Sequence, residues 1–181
     1  MPAQLYFTDS AEANRLIAKD PMALLIGFAL DQQVTVQKAF VGPLVLRERL
    51  GSVAPAAVAD ADLERIFAEK PAIHRFPGTM ARRVHDLAAH ICDEYDADAR
   101  RVWSSTRSSE QLGRNLLALP GFGEMKVGSL AAVLAKRFNV KAAAPLVPDH
   151  PTLGDVDSLE ALADYQAAKR AYKASRKAKA G

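Results

Sequence analysis

The chain has 181 residues, 49% hydrophobic and 25% charged, with a net charge of +3, enough to bury a sizeable core in one or two small domains. No apolar run approaches the ~18 residues that span a bilayer, and the lone Cys92 excludes an internal disulfide, a cysteine-based zinc site and a four-cysteine iron–sulfur cluster. With no basic segment leading into an apolar stretch at the N-terminus, a cytoplasmic protein without membrane contact is expected.

Almost every periodic segment reads as helix. Asp9-Ser10 caps a short helix through Leu16 and Ile17, and Asp20-Pro21 sets a cap before a proline at the first helical position. Met22 to Leu30 is then a buried helix. From Gln33 to Leu50 the pattern is less regular; Gly42-Pro43 is expected to kink or divide it, and Gly51 to stop it. Ala54-Pro55 opens a connector of small residues. Asp60 caps a short helix through Leu63, Ile66 and Phe67, and Pro71 interrupts.

After the turn Phe76-Pro77-Gly78-Thr79, the residues Met80, Val84, Leu87, Ala88, Ile91 and Tyr95 recur at spacings of three and four. That is a long amphipathic helix. Ser108 with Gln111 makes a capping box for a helix through Leu112, Leu116 and Leu117. Val127, Leu130, Val133 and Leu134 mark another, ending near Phe138-Asn139. Residues 140–157 hold Pro145, Pro148, Pro151 and Gly154 and read as an irregular connector before a final alanine-rich helix from Ser158. The fold expected is all-α, with a body over residues 1–157 and a basic helix or tail over 158–181. Lys169 to Gly181 holds six cations and no acid, so the net charge of +3 leaves −3 on the rest of the chain. Such a tail either attracts phosphates or is a solvated helix end.

The stretch Leu119-Pro120-Gly121-Phe122-Gly123-Glu124-Met125-Lys126-Val127-Gly128 sits between two of these helices. Glycines one residue apart permit a tight turn, and the turn opens onto a helix start with unpaired N–H groups. Leu119 and Phe122 would tuck into the core. The N–H groups near Gly121, Gly123 and Met125 would form a nest for a phosphate oxygen, with Lys126 a nearby point charge.

This stretch resembles the hairpin of the helix-hairpin-helix-GPD superfamily of base-excision DNA glycosylases. Two further segments agree: Leu30-Asp31-Gln32-Gln33-Val34-Thr35-Val36-Gln37-Lys38-Ala39, similar to the family's glutamine segment, and His74-Arg75-Phe76-Pro77-Gly78-Thr79-Met80-Ala81-Arg82-Arg83-Val84, similar to its turn and helix upstream of the hairpin. The resemblance covers residues 20–140 and is strongest to short members of actinobacterial type. It implies two helical lobes around a cleft, and a monomer acting on double-stranded DNA at the nucleoid. The implied reaction is hydrolysis of the N-glycosidic bond of a flipped damaged base. It also implies that Gln33, with Gln32 beside it, fills the gap left in the DNA stack. Gly121, Phe122, Gly123, Met125 and Lys126 would hold the backbone. No organic cofactor is implied, only a monovalent cation at the backbone carbonyls of Leu119 and Phe122.

The catalytic positions match less closely. Glycosylase/lyases of the family carry a lysine two residues after the second hairpin glycine, where this chain has Met125. Lys126 lies about 100° further round the helix, which points to a monofunctional enzyme without lyase activity. The family's catalytic aspartate corresponds best to Asp149 in Val147-Pro148-Asp149-His150-Pro151, a few residues further on than the family's spacing. An aspartate in a proline-rich surface loop explains Asp149 equally well. Asp155 and Asp157 read as turn and cap residues. A DNA-binding module that kept the scaffold without the chemistry is the alternative function. The four histidines lack metal-ligand spacing, and Trp103 and Cys92 read as core.

Overall fold

Ten α-helices and two short 3-10 helices, with no β-strand, make up the computed structural model of residues 1–181. Helix α1 (Ala11–Lys19) begins at Ser10, whose hydroxyl accepts the Ala13 N–H. Asp20 then starts α2 (Pro21–Leu30): its carboxylate accepts the N–H groups of Met22 and Ala23 at 2.9 and 3.1 Å. Every residue of α2 after Pro21 is buried, the pattern of a helix enclosed on all sides.

Helix α3 (Val36–Leu50) crosses α2 at very short range. A Cβ on Gly27 would lie 2.3 Å from the Phe40 ring, and one on Gly42 would lie 2.5 Å from Leu30. Phe40 in turn is held edge-on by Phe7 and Phe28, with ring centroids 4.9 and 5.1 Å away. Of the kink or division expected at Gly42-Pro43, the division does not occur: α3 runs through both residues. Proline removes one backbone bond there, but both residues are buried against neighbouring elements, and packing outweighs the lost bond.

Two expectations nearby are also corrected. The stretch after Ala54 is helix α4 (Pro55–Asp60), with proline at its first position, rather than a connector. The next helix, α5 (Leu63–Ala68), is capped by Asp62 and not by Asp60. Both pack on α6 (Pro77–Tyr95), the expected amphipathic helix. The short α7 (Arg101–Ser104), unforeseen in the sequence, buries Val102 and Trp103.

Helix α8 (Ser109–Ala118) is capped by the Ser108 hydroxyl as expected, but Gln111 does not close the box: its side-chain oxygen accepts the Arg107 N–H instead of that of Ser108. A hairpin turn leads from it into α9 (Glu124–Arg137). Residues 140–157 are more ordered than expected: 3-10 helices at Lys141–Leu146 and Leu153–Asp155 pack along α9. Arg137 Nε donates to the Gly154 carbonyl at 2.9 Å, and Lys136 pairs with Asp155 at 2.5 Å. Asp155 also accepts the Thr152 N–H. Burial works against its charge, but Lys136 and Thr152 hold its carboxyl below the usual range.

The last helix, α10 (Leu159–Ala180), starts at Ser158. Its first half belongs to the body: Leu162 and Tyr165 join the same 48-residue core as the other helices. Gln37 on α3 and Gln166 on α10 exchange reciprocal amide hydrogen bonds at 3.4 and 3.0 Å. Beyond Tyr172 every residue to Gly181 is exposed. No helix is long and apolar enough to cross a membrane.

Gly154 gives a test of this packing. A Cβ there would meet the backbone carbonyl of Ala132 at 2.6 Å, and backbone in mid-helix cannot swing aside. Gly154→Ala is expected to destabilise the fold by roughly 1–3 kcal/mol, read as a lower midpoint in denaturant unfolding.

Candidate functional site

Three segments far apart in sequence meet at one place, and His74 and Arg83 join them. The His74 ring, 1% exposed, sets Nε2 at 3.0 Å from the Leu30 carbonyl and 3.1 Å from that of Gln32, while Nδ1 accepts the Phe76 N–H at 2.9 Å. Two carbonyls on one nitrogen and an N–H on the other require the neutral ring with its proton on Nε2. Burial and the nearby charges of Lys38 and Arg83 lower the His74 pKa, partly offset by the two carbonyls. Arg83 on α6 donates to the Gln32 side-chain oxygen. Its side chain lies against the hairpin as well, since a Cβ on Gly121 would sit 3.3 Å from it.

These contacts fix the end of α2 and the loop after it. Gln32 is half-buried and held by Arg83, whereas Gln33 is exposed, with a left-handed backbone at φ 57°. A non-glycine residue there carries some strain, as do Asp96, Ala97 and Asn139 at turns elsewhere in the chain.

The hairpin forms as expected. Phe122 N–H donates to the Leu119 carbonyl at 3.1 Å, and Gly121 supplies φ +80°. Leu119 and Phe122 are buried at 2% and 5% exposure, so Phe122 can offer a ligand only its backbone. Gly123 is the first residue of α9's cap, with open space around it and no side chain capping the helix start. For the implied monovalent cation, the turn offers only backbone carbonyls, and that of Leu119 already accepts one bond. No cluster of three or more His, Cys, Asp or Glu side chains could hold a metal.

Met125 is 60% exposed. It borders, together with Lys126, a cavity of about 280 Å³ between the end of α2, the start of α9, residues 150–152 and α10. The Lys126 Nζ lies 3.4 Å from the Ala29 carbonyl and 5.5 Å from the Phe122 ring centre. Burial pushes the Lys126 pKa down to about 8, with Asp31 opposing the change and Arg83 adding to it.

Asp31, the residue that ends α2, lines the same cavity. Its carboxylate makes no side-chain hydrogen bond and no ion pair within 4 Å; Lys126, Lys169 and Lys173 act on it from further off. Burial raises its pKa although all three lysines lower it. A desolvated carboxylate and a desolvated ammonium thus face one space without pairing. Such groups are candidates for acid–base work.

Asp149 is elsewhere. It is exposed and borders an adjoining, more open depression with Lys136 and Asp164, which shares His150, Pro151 and Tyr165 with the cavity. Its neighbours His150 and Pro151 border the cavity, His150 stacked on Tyr172 with ring centroids 5.1 Å apart. Asp31 was on view in the sequence beside the two glutamines. The one signal for it was a charge closing a wholly apolar helix. Nothing in the sequence announced that α10 would bring Tyr165, Lys169 and Lys173 over it.

Comparison of the chain with protein-family models, with curated proteins and with solved structures gives no match to any of them.

The His74 clamp predicts a pH dependence. Its pKa is lower in the folded chain than in the unfolded one, so the neutral ring's contribution is complete above about pH 6.5 and is lost as pH falls towards the folded value. Melting temperature should therefore drop between pH 7 and 5. His74→Phe should lower stability by about 1–3 kcal/mol at pH 7 and make that drop shallower.

Proposed function

We propose that the protein is a monofunctional DNA glycosylase, with Asp31 as its catalytic carboxylate. The observation that carries this reading is the cavity where unpaired Asp31 and Lys126 face each other, at the junction of Gln32-Gln33 with the glycine hairpin. The sequence resemblance to helix-hairpin-helix-GPD glycosylases supplies the reaction class. The cavity's volume of about 280 Å³ has room for one flipped base.

In this reading the uncapped start of α9 and the turn at Gly121 and Gly123 grip a phosphate through backbone N–H groups. The exposed Gln33 enters the stack where the nucleotide leaves it. An amide suits that position because it both donates and accepts. Asp31 stabilises positive charge on the sugar as the base departs, or takes a proton from the attacking water. Met125 leaves the family's lyase position without an amine. Asp149, exposed and outside the cavity, has no part in the reaction. The two-lobed arrangement around a cleft and action as a monomer on duplex DNA belong to the same proposal.

Release of damaged bases from duplex oligonucleotides separates the two aspartates. Asp31→Asn should lose at least about 100-fold in rate, while Asp149→Asn stays within about twofold of the unaltered protein. The reverse result overturns the assignment, and tight binding without release from any lesion favours the non-catalytic DNA-binding module.

Gly123 offers a cleaner test of the grip. A side chain there meets nothing within 4 Å and the backbone is in the extended region, and aspartate is a good residue at a helix start. Gly123→Asp should leave thermal stability unchanged or raised, yet abolish DNA binding in gel-shift or anisotropy measurements, because its charge occupies the phosphate's place.

A further inference from the structure

Resting on the glycosylase reading, a further property follows from the balance of donors and acceptors around the cavity. Lys126, Lys169, Lys173 and Arg176 bring N–H donors to its lining, and Asp31 is the only acid there. Tyr165 is kept protonated by burial, with Asp31 and Asp155 adding to the effect, so its hydroxyl also remains a donor. The four cations, of which Lys173 and Arg176 are exposed, outnumber the one carboxylate and leave the cavity net positive.

A base carrying a fixed positive charge, such as an N3- or N7-alkylated purine, would enter against that field. An undamaged adenine or cytosine would turn its amino group towards a lining in which charged donors outnumber the one carboxylate, and Asp31, engaged at the sugar in this reading, is not free to accept it. An uncharged base with carbonyl oxygens in place of amino groups meets neither penalty. We infer that the cavity takes a deaminated base, of the uracil or hypoxanthine type, and that Lys126 is the acid that protonates it as it leaves.

The C1′–N bond breaks and its electron pair goes to the base, which receives a proton from Lys126 Nζ. The oxygen of a water molecule bonds to C1′, and Asp31 takes the proton that this water releases. Proton transfer through solvent from Asp31 to the Lys126 amine restores both groups. An uncharged base is a poor leaving group without that proton, whereas a cationic alkylated base departs neutral and needs none. Lys126 is suited to the role because two of its three protons are uncommitted: its single hydrogen bond is the long one to the Ala29 carbonyl.

The groups facing Lys126 decide its pH behaviour. Asp31 at the end of α2 favours its charge, and Arg83 on α6 opposes it. From α10 the cavity also receives Lys169, Lys173, Arg176 and the two tyrosines, and His150 comes from the connector. Release of the base should therefore weaken as pH rises through about 8, where Lys126 loses its proton.

Single-turnover release from duplexes carrying uracil, hypoxanthine, 7-methylguanine or 3-methyladenine is the test, with Lys126→Arg and Lys126→Met beside the unaltered protein. Release of uracil or hypoxanthine at least tenfold faster than the methylated purines is expected. Both variants should lose at least about 100-fold on the deaminated bases and show no alkaline limb, since arginine keeps the charge but cannot give up its proton. Faster release of the methylated purines overturns the substrate class and leaves the glycosylase reading intact. Full activity of Lys126→Arg overturns the role of Lys126. Release of no base at all overturns both this inference and the glycosylase reading on which it rests.

Discussion

The neutral imidazole of His74 holds the rest of the site in register. It closes two carbonyls at the end of α2 with one nitrogen and the start of the α6 turn with the other. A helix end buried without partners is costly, and α2 is buried along its whole length after the first residue. The ring removes that cost at the point where the chain must turn. Asp31, Gln32 and Gln33 take their directions from that turn: one into the cavity, one onto Arg83 and one towards solvent.

Arg83 extends the same logic to the hairpin. Its guanidinium holds Gln32 while its aliphatic stem rests on Gly121. A side chain on residue 121 would disturb this stem as well as strain the turn. The glycine thus serves twice, once through its positive φ and once through the space it leaves. One side chain thereby ties the hairpin to the glutamine loop.

Most of the helices were legible in the sequence because apolar spacing and caps report local physics. Ser108 with Gln111, Asp20 with Pro21, and the stripe from Met80 to Tyr95 each specify a boundary or a face on their own. The misreadings came where tertiary packing overrode a local rule. Gly42-Pro43 is a helix breaker by composition, yet close packing against Leu30 and Ile73 keeps α3 whole. Of the candidate site, the hairpin was plain because its turn chemistry is contiguous. The cavity was not, since it joins residue 31 to residues 126 and 165–176. The direction of Lys126 follows from the angle at which α9 leaves the turn, and sequence spacing does not encode that angle. Asp149 drew attention through its place along the chain, whereas burial and unpaired charge single out Asp31.

The reciprocal amide pair between Gln37 and Gln166 has a consequence for the order in which the site is completed. The parts that bury Asp31 on the side of α2 and α9 precede α10 in the chain, and the cations around it other than Lys126 come from α10 itself. A growing polypeptide makes Asp31 early, and the α10 side of its surroundings is added only when the last helix is synthesised and docks. Until then Lys126 is the one cation of the cavity lining beside it. The site's unusual electrostatics are thereby deferred to the final stage of assembly.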